Sequence, residues 1–200
     1  MKKLFSIVII LVCPIILNGQ TIFFNDIATN NPSNDNPYII GQVVDPNLTV
    51  SGIGRGPAIN ANNANNRYNA RDWNRTGFDS NDYFYFTLTP NVGYEIDFTN
   101  FVFNVERSNT GPVQIAVRSS LDGYTSNIGT PIIGGSGVVT QSIVDLSGVN
   151  YQNIISSITF RVYAWGGTNT NGTLSINNFV FNGAVNVSQC PLTTTWDGMN

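Results

Sequence analysis

The sequence has no histidine, two cysteines, two lysines and two glutamates in 200 residues, and each shortage closes a class of chemistry. Without histidine there is no Ser-His-Asp triad and no imidazole ligand for zinc. Both lysines, Lys2 and Lys3, sit at the extreme N-terminus. The rest of the chain therefore offers no Schiff-base amine. Cys190 is the one cysteine outside the first twenty residues, which excludes an internal disulfide framework and a Cys-ligated zinc site after removal of the N-terminal segment. Beyond residue 19, seven arginines face twelve acidic residues, a net charge of −5. Such a surface repels phosphate backbones, so nucleic acid is not an expected partner. The glutamates are Glu95 and Glu106, and Asp97 shares a strand face with Glu95; same-face carboxylates on a strand read as solvated surface rather than as the cleft-facing pair of a glycosidase.

What is present begins with an export signal. Lys2 and Lys3 precede an apolar run, Leu4 to Leu17, and Gly19 supplies the small residue before a cleavage point at Gln20 or Thr21. The run is shorter than the roughly 20 residues a membrane helix needs and contains Pro14. The expectation is a signal peptide over 1–19, no membrane span after cleavage, and a secreted or cell-surface protein. Asn is the commonest residue, at 29, and with 19 Gly and 9 Pro it points to a turn-rich all-β chain.

The strand pattern is explicit in places. Phe84, Phe86 and Leu88 alternate with Tyr83, Tyr85, Thr87 and Thr89, and a turn follows at Pro90–Gly93. Thr21–Phe24, Tyr38–Val44, Leu48–Ile53, Tyr94–Phe98, Phe101–Val105, Val113–Val117 and Val138–Leu146 read as further strands. In the strand from Ile158, residues Ile158, Phe160, Val162 and Ala164 form the core face, leaving Thr159, Arg161, Tyr163 and Trp165 opposite. From Leu174 to Asn182 the apolar positions shift phase, which predicts a β-bulge at Asn177-Asn178. Asn60–Arg71 reads as a long polar loop, and Gly52-Ile53-Gly54-Arg55-Gly56 as a turn, since it lacks the lysine and helix of a phosphate loop. Nine or ten short strands with Gly/Asn turns predict a two-sheet antiparallel sandwich, jelly-roll-like, over 20–186.

Tyr83-Phe84-Tyr85-Phe86-Thr87-Leu88-Thr89-Pro90, Gly93-Tyr94, Arg107-Ser108, Thr110-Gly111-Pro112 and Arg118-Ser119-Ser120-Leu121-Asp122-Gly123-Tyr124 together resemble a domain common in large secreted bacterial proteins. Such proteins often end in a C-terminal sorting signal. The resemblance covers about residues 21 to 185 and implies a jelly-roll-like domain without specifying an activity. Residues 187–200, with Thr193-Thr194-Thr195-Trp196-Asp197-Gly198, resemble a linker and the opening of a following module, so a longer protein is expected.

Three sets of residues are candidates for function. Trp73, Arg161, Tyr163 and Trp165 combine aromatic faces with a cation, a mixture suited to sugar rings and their hydroxyls. Asp26 and Asn177 are candidate oxygen donors for a structural calcium, with Asp79 and Asp82 as further donors in loops. Arg107, Arg118 and Asp122 are expected to be structural, fixing turns by hydrogen bonds. The expectation is a non-catalytic extracellular module for adhesion or carbohydrate binding, with extracellular glycans or surface polymers as partners. The alternatives are an accessory domain of a secreted hydrolase and a structural spacer.

Overall fold

The structure is a computed structural model and describes residues 19–188. The signal-peptide segment, Cys13, Cys190 and the module opening after it lie outside the described residues. The chain forms, in order, β1 (Gln20–Asn25), β2 (Val43–Val44), β3 (Leu48–Arg55), β4 (Asn60–Ala61), β5 (Tyr68–Arg71) and β6 (Tyr83–Pro90). It continues with β7 (Tyr94–Arg107), β8 (Gln114–Ser119), β9 (Ile132–Ile133), β10 (Thr140–Asp145), β11 (Ile158–Trp165) and β12 (Leu174–Val187). Among the described residues there is no α-helix, only three short 3₁₀ turns.

Two antiparallel sheets make the all-β, jelly-roll-like sandwich. One runs β10-β7-β12-β1-β2, with β5 also paired to β12 and β4 to β5; the other runs β3-β6-β11-β8-β9. Period-two alternation explains why they stack. Phe84, Phe86, Leu88, Phe160 and Val162 project inward from the second sheet and meet Phe23, Phe98, Phe101, Phe103, Phe179 and Phe181 of the first, all buried. The rings pack mostly edge to face, as in Phe86–Phe179 at 4.7 Å and Phe98–Phe160 at 5.4 Å. Phe101 and Phe181, neighbours on paired strands, stack instead at 4.1 Å.

The phase shift in β12 is the bulge expected from the sequence: Ile176 pairs with Val105 and Phe179 with Phe103, leaving Asn177-Asn178 opposite a single residue. Four strand expectations need correction. Tyr94–Arg107 is one strand, because a register shift near Thr99 restores the inward phase after Phe98. Between Tyr38 and Val44 only Val43–Val44 is strand; Tyr38 makes a lone bridge to Ile53 and the chain then turns. Residues 60–71 are not all loop. Tyr68–Arg71 joins β12, and Tyr68 is buried with its hydroxyl donating to the Asp35 carbonyl and accepting from Arg55. Burial pushes the Tyr68 phenol up to about 12, against the lowering effect of Arg55.

The fourth correction matters for the outer surface. Gly52–Arg55 is not a turn but the second half of β3. Gly52, at φ 78°, occupies a register shift between Val50 and Ile53, a conformation glycine adopts without strain. Gly54 pairs with Tyr85 on β6, and a Cβ at Gly54 would collide with the Tyr85 ring. The glycine thus lets that ring lie down over β3.

Candidate functional site

The outer face of the five-stranded sheet carries a group of aromatics and cations, most of them partly exposed. β6 contributes Tyr83, Tyr85 and Thr87; β11 contributes Thr159, Arg161, Tyr163 and Trp165; β8 contributes Arg118. Cross-strand register sets their neighbours: Arg161 lies between Tyr85 on one side and Arg118 on the other. Both arginines are clamped by rings. Arg161 Cζ lies 4.0 Å from the Tyr83 ring centroid and 3.8 Å from that of Tyr124. Arg118 Cζ sits 4.1 Å over Phe78 and 5.6 Å from Tyr163.

Arg161 Nη1 donates to Tyr163 Oη at 3.2 Å, while its Nε is buried without an acceptor. Thr87 and Thr159 share a hydroxyl hydrogen bond of 2.8 Å. Tyr83, Tyr85, Thr87, Tyr124, Thr159 and Arg161 line an open cleft of about 370 Å³. Burial pushes the Tyr85 and Tyr163 phenols up, so both remain neutral hydroxyls through the physiological range. No carboxylate lines the cleft.

The sequence candidates divide. Arg161 and Tyr163 are together, and Trp165 joins them through Phe78, whose ring lies 4.9 Å from Tyr163 and 6.0 Å from Trp165. Tyr163 is corrected as a direct ligand contact: it is 1 % exposed, covered by Phe78 and Tyr83. Its hydroxyl instead steadies Arg161. Trp73 is corrected likewise. It is 2 % exposed, packs edge-on to Phe84 at 5.1 Å, and spends its indole N–H on the Ala70 carbonyl. It belongs to the core.

Tyr124 is the residue that strand periodicity missed. It follows the 3₁₀ turn Ser120–Asp122 and has φ 63°, a left-handed conformation that costs a bulky side chain strain. Its N–H donates to Ser119 O at 3.0 Å, and its carbonyl accepts Arg118 Nη1 at 2.9 Å. Arg118 Nε also donates to Asn127 Oδ1. Asp122 accepts the N–H groups of Thr125 and Ser126. Burial raises its pKa, but the bonds from Ser126 and Thr125 together outweigh that and hold its carboxyl below the usual range. Arg118 and Asp122 therefore tie the same turn without bonding each other. Arg107 fixes another loop by donating to the carbonyls of Gly134, Ser108 and Asn109 rather than to an acid.

The calcium candidates do not form a cage. Asn177 sits in the β12 bulge with Oδ1 buried and unpartnered, but Asp26 is exposed one residue past β1. Calcium takes about six to eight oxygens, and no group of three or more acidic, cysteine or histidine residues among the described residues is placed to hold a metal. Asp79 and Asp82 are not such a group either. Asp82 is 3 % exposed and accepts the Asn74 N–H. Burial raises its pKa; the Asn74 bond lowers it, and Asp79 and Asp72 raise it further. A folded-state pKa above the unfolded value means the ionised form opposes folding. The wild type should therefore gain stability relative to Asp82→Asn as pH falls from neutral towards the ordinary carboxylate range. Thermal melts of both proteins across that range check the sign; a wild type that loses ground to the variant on acidification would refute it.

No family model matches the chain, and no curated protein matches it. Among solved structures, a family 29 carbohydrate-binding module from Piromyces equi aligns at 12% identity and TM-score 0.43, covering 84% of this chain and 93% of that one. The K1 cleaved adhesin domain of Lys-gingipain from Porphyromonas gingivalis W83 aligns at 16% and TM-score 0.35, covering 69% and 91%. The MgGH51 α-L-arabinofuranosidase aligns at 14% and TM-score 0.40, covering 83% of this chain and 26% of that one. These superpositions are too loose to argue from.

Proposed function

We propose that this is a non-catalytic, exported β-sandwich module that binds carbohydrate through the outer face of its five-stranded sheet, as part of a larger secreted or surface protein. The observation that carries the reading is the open cleft in which Tyr83, Tyr85 and Tyr124 surround Arg161, with the Thr87 and Thr159 hydroxyls beside them. Aromatic faces take the C–H faces of sugar rings, and a ring of hydroxyls and a guanidinium takes the sugar hydroxyls. The rings are set in advance, Tyr85 by Gly54 and Tyr124 by its turn, so little ordering cost attaches to binding. Export is supported by the N-terminal charge and apolar run.

A glycan array probed with the full-length protein tests this directly. Binding is expected, and Tyr85→Ala should weaken it about ten-fold with the melting temperature little changed. Absence of any glycan signal from a folded protein would remove the reading in favour of a spacer.

A further inference from the structure

We infer that the occupant of this cleft is an anionic glycan, one bearing carboxylate or sulfate groups, gripped by Arg161 with Arg118 as a second positive charge. The inference rests on the carbohydrate reading above and narrows it to a chemical class. Arg161 and Arg118 are directly opposed on neighbouring strands, β11 and β8. Like charges in that position destabilise a sheet. Neither arginine is relieved by an acid: among the described residues the ion pairs are Arg67–Glu106 and Arg71–Asp72, both elsewhere. The stacked tyrosines and Phe78 hold the two cations in place but do not neutralise them.

Arg161 lines the cleft, and among the described residues its guanidinium finds one acceptor, Tyr163 Oη, for Nη1. A group planar, cationic and short of acceptors is matched by a carboxylate or sulfate, which offers paired oxygens. The setting sharpens the contrast. Beyond residue 19 the chain carries net negative charge, yet two of its seven arginines occupy opposed positions on β11 and β8, and no acid lines the cleft.

The test compares polygalacturonate, dextran sulfate and neutral dextran of matched length, with the full-length protein. One or both anionic polymers are expected to bind at least about ten-fold more tightly than dextran, and binding should weaken several-fold between about 50 mM and about 500 mM salt. Which polymer prevails identifies the charged group. Arg161→Gln should abolish the preference, and Arg161→Lys, which keeps the charge but not the fork, should restore only part of it. If Arg161→Gln fails to fold, the polymer comparison and salt dependence of the wild type decide alone. Equal, salt-insensitive binding of dextran would overturn the anionic class while leaving the carbohydrate reading standing. No binding to any glycan would overturn both.

Discussion

Phe181→Ala is expected to cost about 3–5 kcal/mol of folding stability. Phe181 is fully buried on the inner face of β12 and stands where the two sheets meet. Its ring stacks on Phe101 at 4.1 Å and on Phe23 at 5.9 Å within its own sheet. Across the gap it touches Phe86 at 5.6 Å and Phe160 at 5.2 Å. Removing it takes away the burial of one aromatic side chain and leaves a cavity walled by other rings. Those rings are anchored on four strands, β1, β6, β7 and β11, and cannot all collapse inward.

A domain of this size has only about 5–15 kcal/mol in total, so about a fifth or more would go with one residue. Urea denaturation should show a lower midpoint at an unchanged slope. Phe181→Leu, which keeps most of the volume, should cost clearly less. Val92→Ala, at the fully exposed turn after β6, should cost almost nothing. A Phe181→Ala loss below about 1.5 kcal/mol would mean the sheets repack freely, contrary to close-packed interiors.

The same residues explain how far the sequence could be read. Tyr83 to Pro90 alternates without a fault, and the structure keeps that phase along the whole of β6, because one face packs on phenylalanines and a slip would expose them all. The bulge at Asn177-Asn178 was visible for the same reason, as a break in an otherwise strict period. Long-range cover was not visible. Trp73 sits in a polar stretch, Arg71-Asp72-Trp73-Asn74, and only the packing of Phe84 against it shows that it faces inward. Tyr163 belongs to the outer face by periodicity, yet Phe78, from a loop, lies over it. The glycines of β3 looked like a turn because glycine is a poor strand former; here Gly54 makes room for the Tyr85 ring of the next strand, and Gly52 for the Tyr38 carbonyl. Of the cleft, Arg161 and the β6 tyrosines follow from period two. Tyr124 does not, since its position depends on a turn geometry no periodicity encodes.

That geometry gives the second large effect, on binding rather than on folding. Replacing Tyr124 by either glycine or alanine should weaken glycan affinity about ten-fold or more, since both remove the ring that lies 3.8 Å from the Arg161 guanidinium. The two variants should nevertheless differ in stability. Gly123 and Tyr124 are both left-handed, at φ 67° and 63°. Glycine accepts that backbone freely, whereas any residue with a Cβ is strained there by roughly 1–2 kcal/mol. Tyr124→Ala keeps the strain and loses the stacking, so it should be the least stable of the three. Tyr124→Gly should exceed it by about 1 kcal/mol, because relief of strain outweighs the extra freedom glycine gives the unfolded chain. Paired measurements of affinity by calorimetry and of stability by urea melts separate the two effects. A turn strained to hold a binding ring predicts that affinity and stability move apart in Tyr124→Gly. Equal stability of the two variants would mean that the turn stores no strain at Tyr124, and wild-type affinity in either would mean that the cleft does not depend on its ring.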